Sequence, residues 1–346
     1  MEYKLKVYSL QEIGKRDNQE DSLFPAHGKA KPEDRLFILC DGMGGHDCGE
    51  IASQTVCQAM SETILHSDCL ISKDLVLKAV SDALDMLDIR DNAAPKKMGT
   101  TMALLALDKE GYTIAHIGDS RVYHFRPGAT KHETKILHKT EDHSLINYLV
   151  NTGQMTIEEA RFSKKRNVII RAMQPKMDPR PRPDVYQSKD ILPGDYFYLC
   201  SDGMLEHMED ENLCFIMSKE ITSDEEKMNI LSKSTAQNKD NHAAFLIHVV
   251  DVMESFLPMS KTSVSASCKN HKKGVKTERN KKDVAKNNTT LSPALNESQS
   301  EDTSYTEVLD MEKIKKRNEW LQIANTAFLI VLACLFLLAL IYYKIK

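Results

Sequence analysis

Two stretches of this chain follow one pattern: five apolar residues ending in cysteine, then, directly or after one serine, an aspartate–glycine pair. They read Leu36-Phe-Ile-Leu-Cys-Asp41-Gly42-Met43 and Tyr196-Phe-Tyr-Leu-Cys-Ser-Asp202-Gly203-Met204. Apolar runs of this length, without polar alternation, predict strands covered on both faces. A third run, Tyr112–Ile117, leads into Gly118-Asp119-Ser120-Arg121. The first stretch makes the strand-like run Arg35–Cys40, and further runs are Thr101–Leu107 and Ala243–Val250, the last preceded by Asp240-Asn241. Helical patterns occupy Glu50–Leu65, Asp74–Leu87 and Asp224–Thr235. Strands arrive in groups with helices grouped between them, so the expected architecture is a layered α+β fold and not an alternating parallel one.

Asp-Gly on its own is a common turn signal, and each pair alone reads as a turn. Several acids at the ends of buried strands allow a second reading. Arg16-Asp-Asn-Gln-Glu20-Asp21 packs three acids and an arginine into six residues near the start. Hard cations such as Mg²⁺ and Mn²⁺ take oxygen ligands and often retain water, and an arginine offers a planar fork for phosphate oxygens. The residues alone do not say whether these acids meet in space.

Charge is unevenly spread. Residues 1–257 hold 31 Lys+Arg against 41 Asp+Glu, a balance of −10, whereas residues 258–346 hold 15 against 9, a balance of +6. An acidic body argues against a nucleic-acid-binding body, which needs a basic face. The eight cysteines show no pair at zinc-ligand spacing. Cys40 and Cys200 lie in apolar runs and read as buried and reduced, which suggests a cytosolic domain.

Five segments follow. Residues 1–257 are the expected globular domain, and the N-terminus carries no apolar signal core. Residues 258–311 are a linker too polar to fold. Within it, Lys261–Lys286 has nine basic and two acidic residues, either a solvated tether or a segment held near anionic lipid. Residues 312–322 form a juxtamembrane segment, and residues 323–343, which hold no charge, are long enough for a transmembrane helix. Trp320 just before that segment and Tyr342 and Tyr343 at its far end stand where interfacial rings sit, and residues 344–346 form a short tail. Lys313, Lys315, Lys316 and Arg317 upstream outnumber Lys344 and Lys346 downstream, so the upstream side is expected to be cytoplasmic.

An ordered series of motifs resembles the PPM family, the type-2C metal-dependent serine/threonine phosphatases, and above all its compact bacterial members. The series is Arg16–Asp21, Asp41-Gly-Met-Gly-Gly-His46 with Gly49-Glu50, Gly99-Thr-Thr101, Gly118-Asp-Ser-Arg121, Asp142-His-Ser144, Ser201-Asp-Gly203 and Asp240-Asn241. The resemblance implies a four-layer α-β-β-α sandwich of two antiparallel sheets flanked by helix pairs, beside the C-terminal transmembrane helix. It implies a centre of two Mn²⁺ or Mg²⁺ ions, bridged by Asp41 and completed by the Gly42 carbonyl, Asp202 and Asp240. Asp21 and Glu20 would hold metal-bound waters, Asp119 with Asp202 would take a looser third ion, and Arg16 would hold the substrate phosphate. The implied reaction is direct hydrolysis by a water activated between the ions, so a nucleophilic side chain is not required.

Three segments need comment. Eukaryotic members often have histidine directly after Asp-Gly, where this chain has Met43; His46 follows three residues on, and the leaving-group acid stays unassigned. Asp142–Arg171 resembles the flap over the cleft in bacterial members, with a short helix, a turn at Gly153 and a second helix expected in Ser144–Arg161. Its end reads Ile170-Arg-Ala-Met-Gln174 where the family commonly has Thr-Arg-Ala-Leu-Gly. Gly99-Thr-Thr101 reads as a tight strand entry with a structural role. The expected partners are phosphorylated proteins, kinases or kinase targets at the membrane, and the lipid bilayer, with no nucleic acid. Two other readings stay open: an inactive membrane receptor for phosphorylated proteins, and a phosphatase for small phosphoesters.

Overall fold

The computed structural model describes residues 1–253 apart from 45–47, 68, 94–97, 164 and 166. One sheet holds β1 (Glu2–Glu12), β11 (His242–Met253), β10 (Tyr196–Cys200), β7 (Arg121–Arg126) and β8 (Lys135–Lys139), in that order. The other holds β2 (Asp21–Phe24), β3 (Leu36–Gly44), β5 (Met102–Asp108), β6 (Gly111–Ile117) and β9 (Asp184–Ser188), with β4 (Met98–Thr100) pairing on β3. Every neighbouring pair is antiparallel.

Three apolar cores separate the layers, and strand periodicity assigns side chains to them. Leu36, Ile38 and Cys40 of β3 pack with helices α1 (Cys48–Leu65) and α2 (Lys73–Ala93), while Phe37 and Leu39 face the other sheet. Along β10, Phe197 and Leu199 face the inter-sheet core. Tyr196, Tyr198 and Cys200 face Leu213 and Ile216 of α5 (Asp210–Met217) and Leu231 of α6 (Asp224–Thr235). Successive side chains of a strand point to opposite faces, so a strand between two apolar layers must be apolar throughout. That explains the two unbroken runs, and the expected layered α+β arrangement of two antiparallel sheets with helices is what the chain adopts.

One local reading changes. The first Asp-Gly pair is not a turn: β3 continues through Asp41 and Gly42 to Gly44, because β4 supplies a partner opposite Gly42, Met43 and Gly44. The second opens a short 3-10 turn at Asp202–Leu205. The flap segment carries α3 (Leu145–Asn151) and α4 (Ile157–Arg161), joined through Gly153 at φ 69°, a backbone state that favours glycine. A reciprocal cap formed by Thr156 and Glu159 starts α4. Among the described residues no helix is long and apolar enough to cross a membrane. The linker expected at 258–311 and the segments at 312–322, 323–343 and 344–346 lie outside the described residues.

Candidate metal centre

The antiparallel register places Asp21 of β2 directly opposite Asp41 of β3. Directly opposed residues share a face and stand roughly 5 Å apart at Cβ, so two carboxylates meet at the rim of one sheet. Asp41 follows Cys40 and has the parity of Phe37 and Leu39, which points it between the sheets. The other sheet delivers Asp202 just beyond β10 and Asp240 just before β11; β10 and β11 are neighbours paired through Cys200 and Ala244.

These acids lie close enough to perturb one another. Burial first, then Asp21, Asp202, Asp240 and Asp119, push the Asp41 carboxyl well above the usual carboxylate range. Asp21 is raised by burial and by Asp202, Asp240 and Glu20, against a bond from the Ser201 hydroxyl at 2.8 Å. Burial and then Asp240 push Asp202 up to about 6. Asp119, in the turn between β6 and β7, is raised by burial and then by Asp202 and Asp142. Like charges gathered in a poorly solvated place disfavour ionisation.

Two oxygens sharpen the picture. Asp21 Oδ1 and Asp119 Oδ1 are buried without a hydrogen-bond partner among the described residues. Buried polar atoms are rarely left so. A clustered, oxygen-only set with unmatched lone pairs fits a hard divalent cation.

Arg16, in the loop after β1, places Nη2 2.8 Å from Asp240 Oδ2. Glu20 comes just before β2, and its N–H donates to Asn241 Oδ1 at 2.8 Å, which ties the β2 entry to the β11 entry. Gly42 sits where no side chain fits: an added Cβ would lie 2.2 Å from the Gly49 carbonyl oxygen and 2.6 Å from that of Glu20. A Cβ on Gly49 would in turn meet Glu20 Oε1 at 2.6 Å. Close packing of these backbones therefore explains both glycines. Met43 lies on β3 after them, and His46 is outside the described residues.

Some supports of the cluster are not evident as such in the sequence. The Asp41 N–H donates to Thr101 Oγ1 at 3.0 Å, and the Asp41 carbonyl accepts from the Thr101 N–H and the Thr100 hydroxyl, each at 2.9 Å. Gly99-Thr-Thr101 therefore holds the backbone of Asp41, a role beyond the strand entry expected of it. Ser201 grips Asp21, and the Glu206 carboxylate accepts the Asp240 N–H at 3.2 Å. Adjacent hydroxyls in a Gly-Thr-Thr run were the available signal.

Comparison with known proteins agrees with this geometry. The family model described as protein phosphatase 2C matches residues 12–240. Protein phosphatase PhpP of Streptococcus pneumoniae is 29% identical over 226 residues, covering 63% of this chain and 86% of that protein. Serine/threonine protein phosphatase PstP of Mycobacterium tuberculosis is 31% identical over 202 residues, 57% of this chain and 36% of that longer protein. The crystal structure of a PstP catalytic domain in complex with two manganese ions superposes with a TM-score of 0.59 at 28% identity, covering 72% of this chain and all of that one.

Proposed function

Because the chain belongs to the protein phosphatase 2C family and is a metal-dependent serine/threonine protein phosphatase, we propose that it hydrolyses phosphoserine and phosphothreonine in proteins with two Mn²⁺ or Mg²⁺ ions at the rim described above. Asp41, the Gly42 carbonyl, Asp202 and Asp240 would hold the two ions, with Asp21 and Glu20 acting through water. Asp119 with Asp202 would take a third, looser ion. The observation that carries this reading is the pair of buried, partnerless oxygens on Asp21 and Asp119, set among acids that raise one another's proton affinity. Burying unpaired carboxylates costs several kcal/mol each, and a divalent cation removes that cost.

When bound, such ions lower the pKa of water and neutralise charge on the phosphoryl oxygens. The chain's own residues supply orientation. Arg16 offers its guanidinium to a substrate phosphate from beside Asp240. Thr100, Thr101 and Ser201 hold the carboxylate-bearing backbones and the Asp21 side chain, so the acids need not reorganise on binding. The cysteines beside the site are unsuited to attack, since burial pushes the Cys40 and Cys200 thiols up and away from the thiolate. Hydrolysis by water needs no covalent intermediate.

We further propose a tether. Residues 323–343 are uncharged and long enough to span, and residues 258–311 are rich in polar side chains and nearly free of large apolar ones. The enzyme would then act at the cytoplasmic face of a membrane on phosphorylated proteins, including kinases and their targets there. The linker of about 50 residues would have an end-to-end distance on the order of 40 Å, which concentrates the enzyme on membrane-bound substrates.

The deciding experiment measures phosphate release from phosphothreonine peptides by the full chain with Mn²⁺, with Mg²⁺ and with chelator, beside Asp41→Asn. Turnover that requires metal and collapses in a folded Asp41→Asn protein is expected. Undiminished turnover in chelator would reject the reading. Binding of phosphopeptides without turnover would leave the receptor alternative, and preference for a generic phosphoester would favour the small-substrate one.

A further inference from the structure

The turn that carries Asp119 is held on both flanks by two consecutive residues at the start of the flap. On one flank, the Gly118 N–H donates to His143 Nδ1 at 3.1 Å, and the Gly118 carbonyl accepts from the His143 N–H at 2.9 Å. Gly118 sits at φ 104°, and a Cβ there would lie 2.5 Å from Thr101 Cγ2, so this turn has little freedom to relax. On the other flank, Arg121 donates Nε and Nη2 to the two oxygens of Asp142, each at 2.7 Å. Asp119, with its buried partnerless oxygen, lies between the two grips.

The clasp is braced from behind. With Nδ1 accepting, the ring hydrogen of neutral His143 lies on Nε2, which faces Asp184 Oδ2 of β9 at 3.1 Å. The ring stacks on His116, with centroids 4.4 Å apart and planes 11° apart, and His116 Nε2 donates to the Glu141 carbonyl at 2.8 Å. Arg171, at the far end of the flap, donates Nη1 to the other oxygen of that carboxylate, Asp184 Oδ1, at 2.8 Å. The Ile170 N–H also donates to the His143 carbonyl at 2.8 Å, so both ends of the flap meet at this residue. Burial, His116 and Arg171 hold the ring neutral by lowering its pKa to about 4. The ligand atoms of His116, His143 and Asp184 lie within 4.8 Å of one another, a spacing that would suit a metal ion. A guanidinium already stands there, which makes the cluster a brace and not a second metal centre.

We propose that His143 and Asp142 are positioning residues for Asp119, clasping Gly118 and Arg121 so that the base of the flap sets the geometry of the looser cation position. This rests on the reading of Asp119 as a ligand of that cation. Outer partners that orient a ligand typically change metal affinity about 10–100-fold when removed.

The test titrates Mn²⁺ into the full-length chain in mild detergent and counts free ion by its aqueous electron paramagnetic resonance signal. Asp119→Ala should remove the weak class of bound Mn²⁺. His143→Ala should weaken that class about tenfold and leave the tight class unchanged. His143→Asn, whose amide oxygen can accept the same Gly118 N–H, should restore most of it. A packing role alone would lower thermal stability without this selective shift or its rescue. Combining His143→Ala with Asp119→Ala should add nothing to Asp119→Ala, as coupled residues require. A weak class lost in Asp119→Ala but untouched in His143→Ala overturns the clasp. A weak class that survives Asp119→Ala overturns the role of Asp119 and the clasp with it. Should His143→Ala fail to fold, Asp142→Asn weakens the other grip at constant volume; a selective shift there supports the proposal, and an unchanged isotherm overturns it.

Discussion

Asp202→Asn in the metal-stripped protein should make the fold more stable at pH 7.5. Burial and Asp240 lift the folded-state pKa of Asp202 from its ordinary 3.8 to about 6, with the hydrogen bond to Asp41 and the charge of Arg16 working against them. At about 1.4 kcal/mol per pH unit, that displacement corresponds to ~3 kcal/mol, nearer 1–2 kcal/mol because the side chain is partly exposed. Between pH 3.8 and 6 the folded state binds more protons than the unfolded state, so stability falls as pH rises through that window. Above it the whole cost is present. Replacing the charge should therefore raise Tm by about 2–8 °C at pH 7.5, at roughly 2–4 °C per kcal/mol for a domain of this size, and the gain should vanish near pH 4. Saturating Mn²⁺ should invert the order. Wild type gains about 2.7 kcal/mol when the ion is at 100 times its Kd, and the variant forfeits most of that gain. Scanning calorimetry at pH 4 and 7.5, with and without metal, reads all four corners. A variant less stable than wild type at pH 7.5 both with and without metal would refute the reasoning and make Asp202 an ordinary structural acid.

Three further outcomes are expected. Arg16→Ala should raise KM for phosphopeptides about tenfold or more with a smaller effect on kcat, since one charge-assisted contact to phosphate is lost; steady-state kinetics at saturating metal checks it. Lys227→Met should cost at least ~3 kcal/mol by urea unfolding, because the buried Nζ donates to the carbonyls of Ile216, Ser218 and Ile221, each at 2.7 Å, and a thioether leaves all three unmet. Removal of residues 312–346 should yield an enzyme that resists neither carbonate extraction nor washing and keeps its turnover on soluble peptides; full-length protein released by carbonate would remove the anchor.

The sequence made the sheets legible because their central strands are covered on both faces, which leaves no room for polar residues in Leu36–Cys40 or Tyr196–Cys200. Edges were less legible. Helix α2 reaches Ala93, beyond the Leu87 boundary, because its later turns are polar and lose the apolar period while the helix continues. The turn reading of Asp41-Gly42 failed for a related reason: local turn chemistry was overridden by a partner strand, β4, more than fifty residues away. Candidate acids were easy to list, but their supports were hidden. Bonds from Thr101 to Asp41 or from His143 to Gly118 join residues far apart in the chain, and a hydroxyl or an imidazole gives no sign of which backbone it will meet.

The fold also explains why so unfavourable a cluster can exist. Asp41 follows the fully buried run Leu36–Cys40 within β3, Asp202 comes just past β10 and Asp240 just before β11, where the three apolar cores run out. Stability comes from the layers behind the rim, so charges at the rim can oppose folding by a few kcal/mol without undoing it. Moving the same acids one strand residue inward would bury them in the apolar layers, where a cation could not reach them. Moving them outward would let water satisfy them and leave nothing for a cation to relieve. An aspartate at the edge of the buried run, followed by glycine, meets both limits at Asp41: the strand fixes the carboxylate, and Gly42 lets the Gly49 and Glu20 backbones close against it without a side chain between. That is a physical reason for a five-residue apolar run and an Asp-Gly pair to occur together, and the second sheet repeats the combination at Asp202, where a Cβ on Gly203 would lie 2.0 Å from the Asn241 carbonyl oxygen.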